Sequence, residues 1–243
     1  VKLIPRGQAA LEPGLTQLRQ FDTIRLLPSR FADAEDSVLA PLADSDAVLR
    51  DLFDLDNATN DRLRGESGQL PGIGMDELVF GLPNFRMINA AFTYARPEGS
   101  RFNDGERGAW YCAFEVETAL AEVSFHKTVE YQEIGRFDDS VSYQALLADF
   151  TASFHDLRGR SDSSSDSSNP WAACLDPVSY VASQRLAARL LEAGAMGIIY
   201  PSVRHPGGTN LACFRPAVVG NVRKGQAYRL TWEGSPIPTV DAL

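Results

Sequence analysis

Residues 99–126 read GSRFNDGERGAWYCAFEVETALAEVSFH, and three local patterns follow one another within them. Arg101-Phe102-Asn103 and Asp104-Gly105 read as turns, since Gly, Asn and Asp favour the backbone angles that tight turns need. Ala109 to Phe114 is a short apolar run of the kind that forms a buried strand. From Glu115 to Lys127, Val116, Ala119, Leu120 and Val123 fall at i, i+3, i+4 and i+7, which predicts a helix with one apolar face.

Outward from this stretch the elements mix without regular alternation. Upstream, Asp22 to Leu27 predicts a strand stopped by Pro28. An Asp- and Leu-rich block follows, with leucines at helical spacing in Ser37–Leu42 and Ala47–Asp54 and a continuation over Asn57–Arg64. Its ordinary role is an amphipathic cover over part of the core. Downstream, Val129 to Arg136 reads as a strand, Ser142 to Phe150 as a strand-like segment with short helical options, and Arg158 to Asn169 (RGRSDSSSDSSN) as a solvated loop. Asp176-Pro177 reads as a helix start, with the helix running to Glu192 and stopping at Gly194. Gly197 to Tyr200, Leu211 to Phe214 and Gln226 to Trp232 read as strands, and Ser202 to Asn210 (SVRHPGGTN) as an irregular polar loop. The expectation is an α+β fold in a single domain over 1–243, with a helical N-terminal embellishment at about 36–80 and a flexible Ser/Asp-rich loop at 158–169.

Composition narrows the function classes. The net charge of −9 argues against a broad nucleic-acid surface, which needs many phosphate-neutralising cations, but not against one anionic ligand held by a buried Arg. No apolar run approaches the roughly 20 residues of a membrane helix. The first residues lack the apolar core of a secretory signal, so a cytoplasmic protein is expected. Cys112, Cys174 and Cys213 have no CxxC spacing and lie in apolar surroundings, which predicts core packing. His126, His155 and His205 are scattered, so no metal site is expected. No glycine pattern of a dinucleotide or phosphate-binding loop follows a strand.

Arg101, Tyr111 and Glu122 are the residues most able to do chemistry together: a turn Arg, a strand Tyr, and a Glu on the margin of the apolar helix face. Singly, each has a plain alternative as an exposed Arg, a core Tyr or a solvated Glu. Arg25 in the first strand is a candidate second anion ligand, with an ion pair to the acidic block as the alternative. Arg204, His205 and His126 are further candidates; His126 lies four residues after Glu122 on the same helix face, where a structural role is the alternative.

The quoted stretch resembles the core of the RES domain, a family with an Arg in a turn, a Tyr at the end of a short strand and an A-L-x-E helix, which here fall on Arg101, Tyr111 and Glu122. Residues 179–214, SYVASQRLAARLLEAGAMGIIYPSVRHPGGTNLACF, resemble the family's second block and place its Ser near Ser202, with Ser183 as the other candidate. Phe102 stands where many members have Trp. The resemblance spans Thr23 to Phe214 and implies an ADP-ribosyltransferase-like split β-sheet with flanking helices and NAD in the cleft. It implies a bacterial toxin that cleaves the nicotinamide–ribose bond of NAD, as an ADP-ribosyltransferase onto a protein acceptor or as a glycohydrolase or phosphorylase. The implied partner is an Xre/ParS-like antitoxin.

That chemistry suits the side chains. A planar guanidinium such as Arg101 or Arg25 binds phosphates bidentately. The face of Tyr111 favours a cationic pyridinium, and Glu122 stabilises a ribosyl cation and holds a ribose hydroxyl. Ser202 can hydrogen-bond a ribose or the nicotinamide amide. The alternative from another class is a catalytically silent nucleotide-binding or partner-interaction module.

Overall fold

The computed structural model describes residues 12–32, 72–159 and 169–243. The expected helices of the Asp- and Leu-rich block at 37–64 lie outside the described residues, as does most of the Ser/Asp-rich loop.

Among the described residues, seven strands form one sheet in two unequal halves. The long half pairs β1 (Leu15–Pro28), β3 (Asp138–Asp156), β6 (Gly220–Glu233) and β7 (Thr239–Ala242), all antiparallel. The short half pairs β2 (Trp110–Ala113), β5 (Thr209–Cys213) and β4 (Gly197–Pro201), also antiparallel. The halves touch at both ends: Ile24 of β1 pairs with Ala113 of β2, and His155 and Asp156 of β3 pair in parallel with Ile198 and Ile199 of β4. The α+β class and the division of the sheet therefore agree with the expectation.

β1 is longer than the expected Asp22–Leu27 strand, and a bulge divides it between Gln20 and Thr23. Asp22 sits there at φ +54, and its N–H donates to the Asp149 carboxylate at 2.9 Å. Thr23 donates its hydroxyl to Ala148 O at 2.7 Å, so the irregular step is hydrogen-bonded rather than open. In β4 the apolar run is buried from Gly197 to Tyr200. Gly197 (φ +150) has the Ala212 carbonyl 2.2 Å from where a Cβ would stand, so only glycine fits this close strand approach.

Among the described residues, three helices longer than a single turn flank the sheet: α1 (Phe85–Thr93), α2 (Val116–Ile134) and α3 (Val181–Glu192). The strand expected at 129–136 is instead the last part of α2. Tyr131 packs edge-on against Trp232 at 5.0 Å, and the helix ends where Gly135 takes φ +73. The third helix starts at Val181, later than Asp176-Pro177. Asp176 does accept two backbone N–H groups, from Val178 and Ser179 at 2.7 Å each, but they close a turn ahead of the helix. Three buried clusters result. Phe92 of α1 joins Trp110 and Phe150, Leu190 of α3 joins Phe102 and Ile198, and Tyr131 of α2 joins Leu230 and Trp232. All three cysteines are free and buried as expected, and burial pushes the Cys112 and Cys213 thiols up to about 12. Among the described residues, no helix is long and apolar enough to cross a membrane.

One ion cluster ties the segment before α1 to the end of β5. Arg107 grips Glu77 with both Nη atoms at 2.7 and 2.8 Å and also donates to Phe214 O; Arg215 adds a bond to Glu77 at 2.6 Å. The Arg107 hydrogen bonds hold the Glu77 carboxyl at about 2, below its ordinary 4.5, with Arg215 adding to the shift and burial opposing it. A carboxyl with a lowered folded pKa stabilises the fold above its unfolded value and loses that contribution as protons bind. Glu77→Gln should lower stability near neutral pH by about 1–3 kcal/mol. In thermal melts the gap between wild type and variant should close as the pH falls from 4.5 toward about 2; a gap constant with pH would contradict this role.

Candidate active site

Where the sheet halves meet at Ile24 and Ala113, a cleft of about 1180 Å³ opens between β1, β2, α2 and the segments around 98–101 and 177–180. Arg25, Arg101, Tyr111 and Glu122 all line it. Ser202 stands directly behind Glu122.

Glu122 projects from α2 and is fixed through one oxygen. Ser202 Oγ and Asn210 Nδ2 both donate to its Oε1 at 2.8 Å. No described residue donates to Oε2. A carboxylate set against the core needs such donors, and binding one oxygen leaves the other for a ligand. Ser202 has little capacity left, because its Oγ also accepts the N–H groups of Arg204 (3.1 Å) and His205 (3.0 Å). Ser202 Oγ is thus hydrogen-bonded both to Glu122 and to its own loop. Ser183 does not join the site; it is fully buried in α3 and donates to Tyr180 O at 2.9 Å.

The loop that carries Ser202 is pinned to the start of α2. Glu115 accepts from Thr118 Oγ1 at 2.9 Å and from the Thr209 N–H at 3.1 Å, and His205 Nδ1 meets Thr118 Oγ1 at 2.8 Å. Arg204 lays its guanidinium on the Phe125 ring and donates to Pro177 O. Arg204 and His205 therefore brace the loop. His126 does line the cleft with much of its side chain exposed, and partial desolvation there lowers its pKa.

Arg101 is buried, 7 % exposed, which sets aside the plain alternative of an exposed Arg. The segment ahead of α3 folds across it: Nη1 donates to Cys174 O (3.2 Å) and Asp176 O (2.7 Å), and the guanidinium stacks on Tyr180 at 4.7 Å. No described residue accepts from its Nε or Nη2, so that edge of the fork is open to an anion. Arg25 lies over the Trp110 ring at 5.1 Å and donates to Tyr111 O at 3.2 Å, which puts a second guanidinium beside the first strand junction.

Tyr111 is braced at its hydroxyl, which donates to Asn103 Oδ1 and accepts the Phe102 N–H, both at 2.8 Å. Burial pushes this phenol's pKa well up, so it stays a donor. The hydroxyl couples the strand to the turn that carries Arg101. Phe102 itself is buried and meets Tyr200 edge-on at 4.8 Å.

Asn210, Asn103 and Tyr180 were not singled out from sequence. Asn210 carried a usable signal: it is the last polar residue before the run Leu211 to Phe214, and an Asn entering a buried strand must find a polar partner. Asn103 and Tyr180 act through contacts across the fold that no local pattern reveals.

The family model described as RES domain matches residues 78–233, and the chain belongs to that family. β1, with Arg25, lies outside the matched segment. A curated relative, uncharacterized protein y4oC of Sinorhizobium fredii (strain NBRC 101917 / NGR234), is 29% identical over 221 residues, covering 90% of this chain and 86% of the relative. The crystal structure of the M. tuberculosis MbcT–MbcA toxin–antitoxin complex aligns with a TM-score of 0.40 at 16% identity, over 56% of this chain and 74% of that one.

Tyr111→Phe removes the hydroxyl from both of its partners. It should destabilise the fold by about 1–3 kcal/mol, because Phe102 N–H and Asn103 Oδ1 lose their bonds. Denaturant unfolding checks this, and an unchanged midpoint would show the hydroxyl to be dispensable for the turn.

Proposed function

We propose that this chain is an NAD-consuming enzyme that breaks the nicotinamide–ribose bond and acts as a toxin held in check by an antitoxin protein. The observation that carries the proposal is Glu122, clamped through one carboxylate oxygen by Ser202 and Asn210, in a cleft that also holds two guanidiniums and a braced Tyr. Family membership supports it, since the resemblance implies this chemistry and a paired Xre/ParS-like antitoxin.

Each residue then has a task. Arg101, and Arg25 at the strand junction, hold the pyrophosphate by charge-assisted hydrogen bonds. Tyr111 presents its ring to the nicotinamide end. The bond between ribose C1′ and the pyridinium nitrogen breaks heterolytically, and the electron pair leaves with nicotinamide. The leaving group departs neutral, so no strong general acid is required. Positive charge develops on the ribosyl carbon and ring oxygen, and the Glu122 carboxylate stabilises it. Ser202 and Asn210 keep that carboxylate from rotating. An acceptor then attacks C1′: water or phosphate yields free ADP-ribose or its phosphate, and a protein side chain yields a modified target.

Purified protein should release nicotinamide from NAD, and Glu122→Gln should slow the release by about a hundredfold or more, the scale expected when one electrostatic stabiliser is lost. Equal release by the variant would overturn the role of Glu122. No consumption of NAD and no transfer to any protein would overturn the enzyme. Labelled NAD in a bacterial lysate separates the acceptors, since a discrete labelled protein band indicates transfer and free ADP-ribose or its phosphate indicates depletion.

A further inference from the structure

The turn that carries Arg101 has little framework of its own. Its main-chain contacts are Gly99 N–H to Arg96 O at 2.8 Å and the isolated bridge between Ser100 and Asn103, closed at 2.9 Å. Gly99 takes φ +74 and packs so tightly that a Cβ there would stand 2.2 Å from Asn103 O. Its tie to the sheet is the Phe102 N–H, which donates to the Tyr111 hydroxyl at 2.8 Å. A single side chain from α3 reaches into it: Gln184 Nε2 lies 3.1 Å from Glu98 O, 3.0 Å from Ser100 O and 3.2 Å from Asn103 O. An amide nitrogen has two hydrogens, so three carbonyls share them. Two of those carbonyls flank Arg101, one on each side in sequence.

Gln184 is itself well anchored. It lies in the first turn of α3, with its N–H bonded to Tyr180 O at 2.9 Å, and Tyr180 is the ring beneath the Arg101 guanidinium. One turn of helix thus grips both parts of Arg101, the main chain through Gln184 and the side chain through Tyr180. The same grip reaches Tyr111, because Asn103 joins its carbonyl to Gln184 and its Oδ1 to the Tyr111 hydroxyl.

We infer that Gln184 is a positioning residue for substrate binding, which sets Arg101 at the cleft wall by holding the turn from 98 to 103. The inference rests on the reading of Arg101 as the ligand of the NAD pyrophosphate. That contact is the same before and during bond cleavage, so displacing Arg101 weakens binding and leaves the chemical step largely intact. Glu at position 184 has nearly the same shape as Gln but offers no donor and sets a negative charge against three carbonyls. Lys at the same position restores donors.

The test compares wild type, Gln184→Glu and Gln184→Lys by steady-state NAD consumption, melting temperature and hydrogen exchange of the 98–103 amides. Gln184→Glu should raise KM for NAD about tenfold with kcat within about twofold, the scale of a modest misplacement of a substrate-holding group. Exchange at 98–103 should quicken, and Gln184→Lys should recover most of both effects. Unchanged KM in Gln184→Glu beside an active wild type overturns the inference. So does an equal fall in kcat and melting temperature with KM unmoved, which marks a purely structural residue. A wild type inert toward NAD sinks the parent reading instead; exchange then decides alone, quickening at 98–103 upholding Gln184 as the anchor of the turn and unchanged exchange overturning it. Should Gln184→Glu fail to fold, Gln184→Met removes the donor without adding charge and carries the same comparison.

Discussion

The cleft exists because the two halves of the sheet meet beside it through one residue pair, Ile24 with Ala113. A broader β1–β2 ladder would zip the halves together and leave no opening; with no pairing, the main-chain groups at the junction would need other partners. The single pair also sets which side chains share a face: Tyr111 lies on the Ala113 face of β2, and Arg25, next after Ile24, lies on the other face over the Trp110 ring. The bond from Arg25 to Tyr111 O then bridges the two halves at this point.

From this junction the site grows by long-range bracing. Glu122 sits on α2, but its orientation depends on Ser202 just after β4 and Asn210 in β5. The intervening loop is tied back to α2 through Glu115, Thr118 and His205. Arg101 sits in a turn, but its guanidinium is framed by carbonyls and a ring from the segment leading into α3. Each residue given a task in the proposed reaction is thus held by an element other than its own. Such cross-bracing keeps a charged group in one geometry inside a cleft, which is what preorganised electrostatic stabilisation requires.

Much of this was legible in the sequence. Turn, strand and helix signals between Arg101 and Lys127 were strong because they are local, and α+β followed from the lack of regular alternation. Arg101, Tyr111, Glu122, Ser202 and Arg25 do come together. Contacts between distant segments were not legible. The second part of α2 looked like a strand because Val129 and Tyr131 favour strands, yet tertiary packing of Tyr131 on Trp232 holds it helical. Asp176-Pro177 carried a sound capping signal that was spent on a turn. The choice between Ser202 and Ser183 needed the register that brings β4 and β5 beside α2, and Asn103 and Gln184 needed the packing of α3 on the Arg101 turn.

The most direct test of the account is a crystal structure of the Glu122→Gln variant with NAD. The account predicts NAD in the cleft, with the nicotinamide ribose within hydrogen-bonding distance of residue 122 and the pyrophosphate on the open edge of Arg101. NAD bound in reverse, with adenosine at residue 122, or bound outside the cleft, would contradict it.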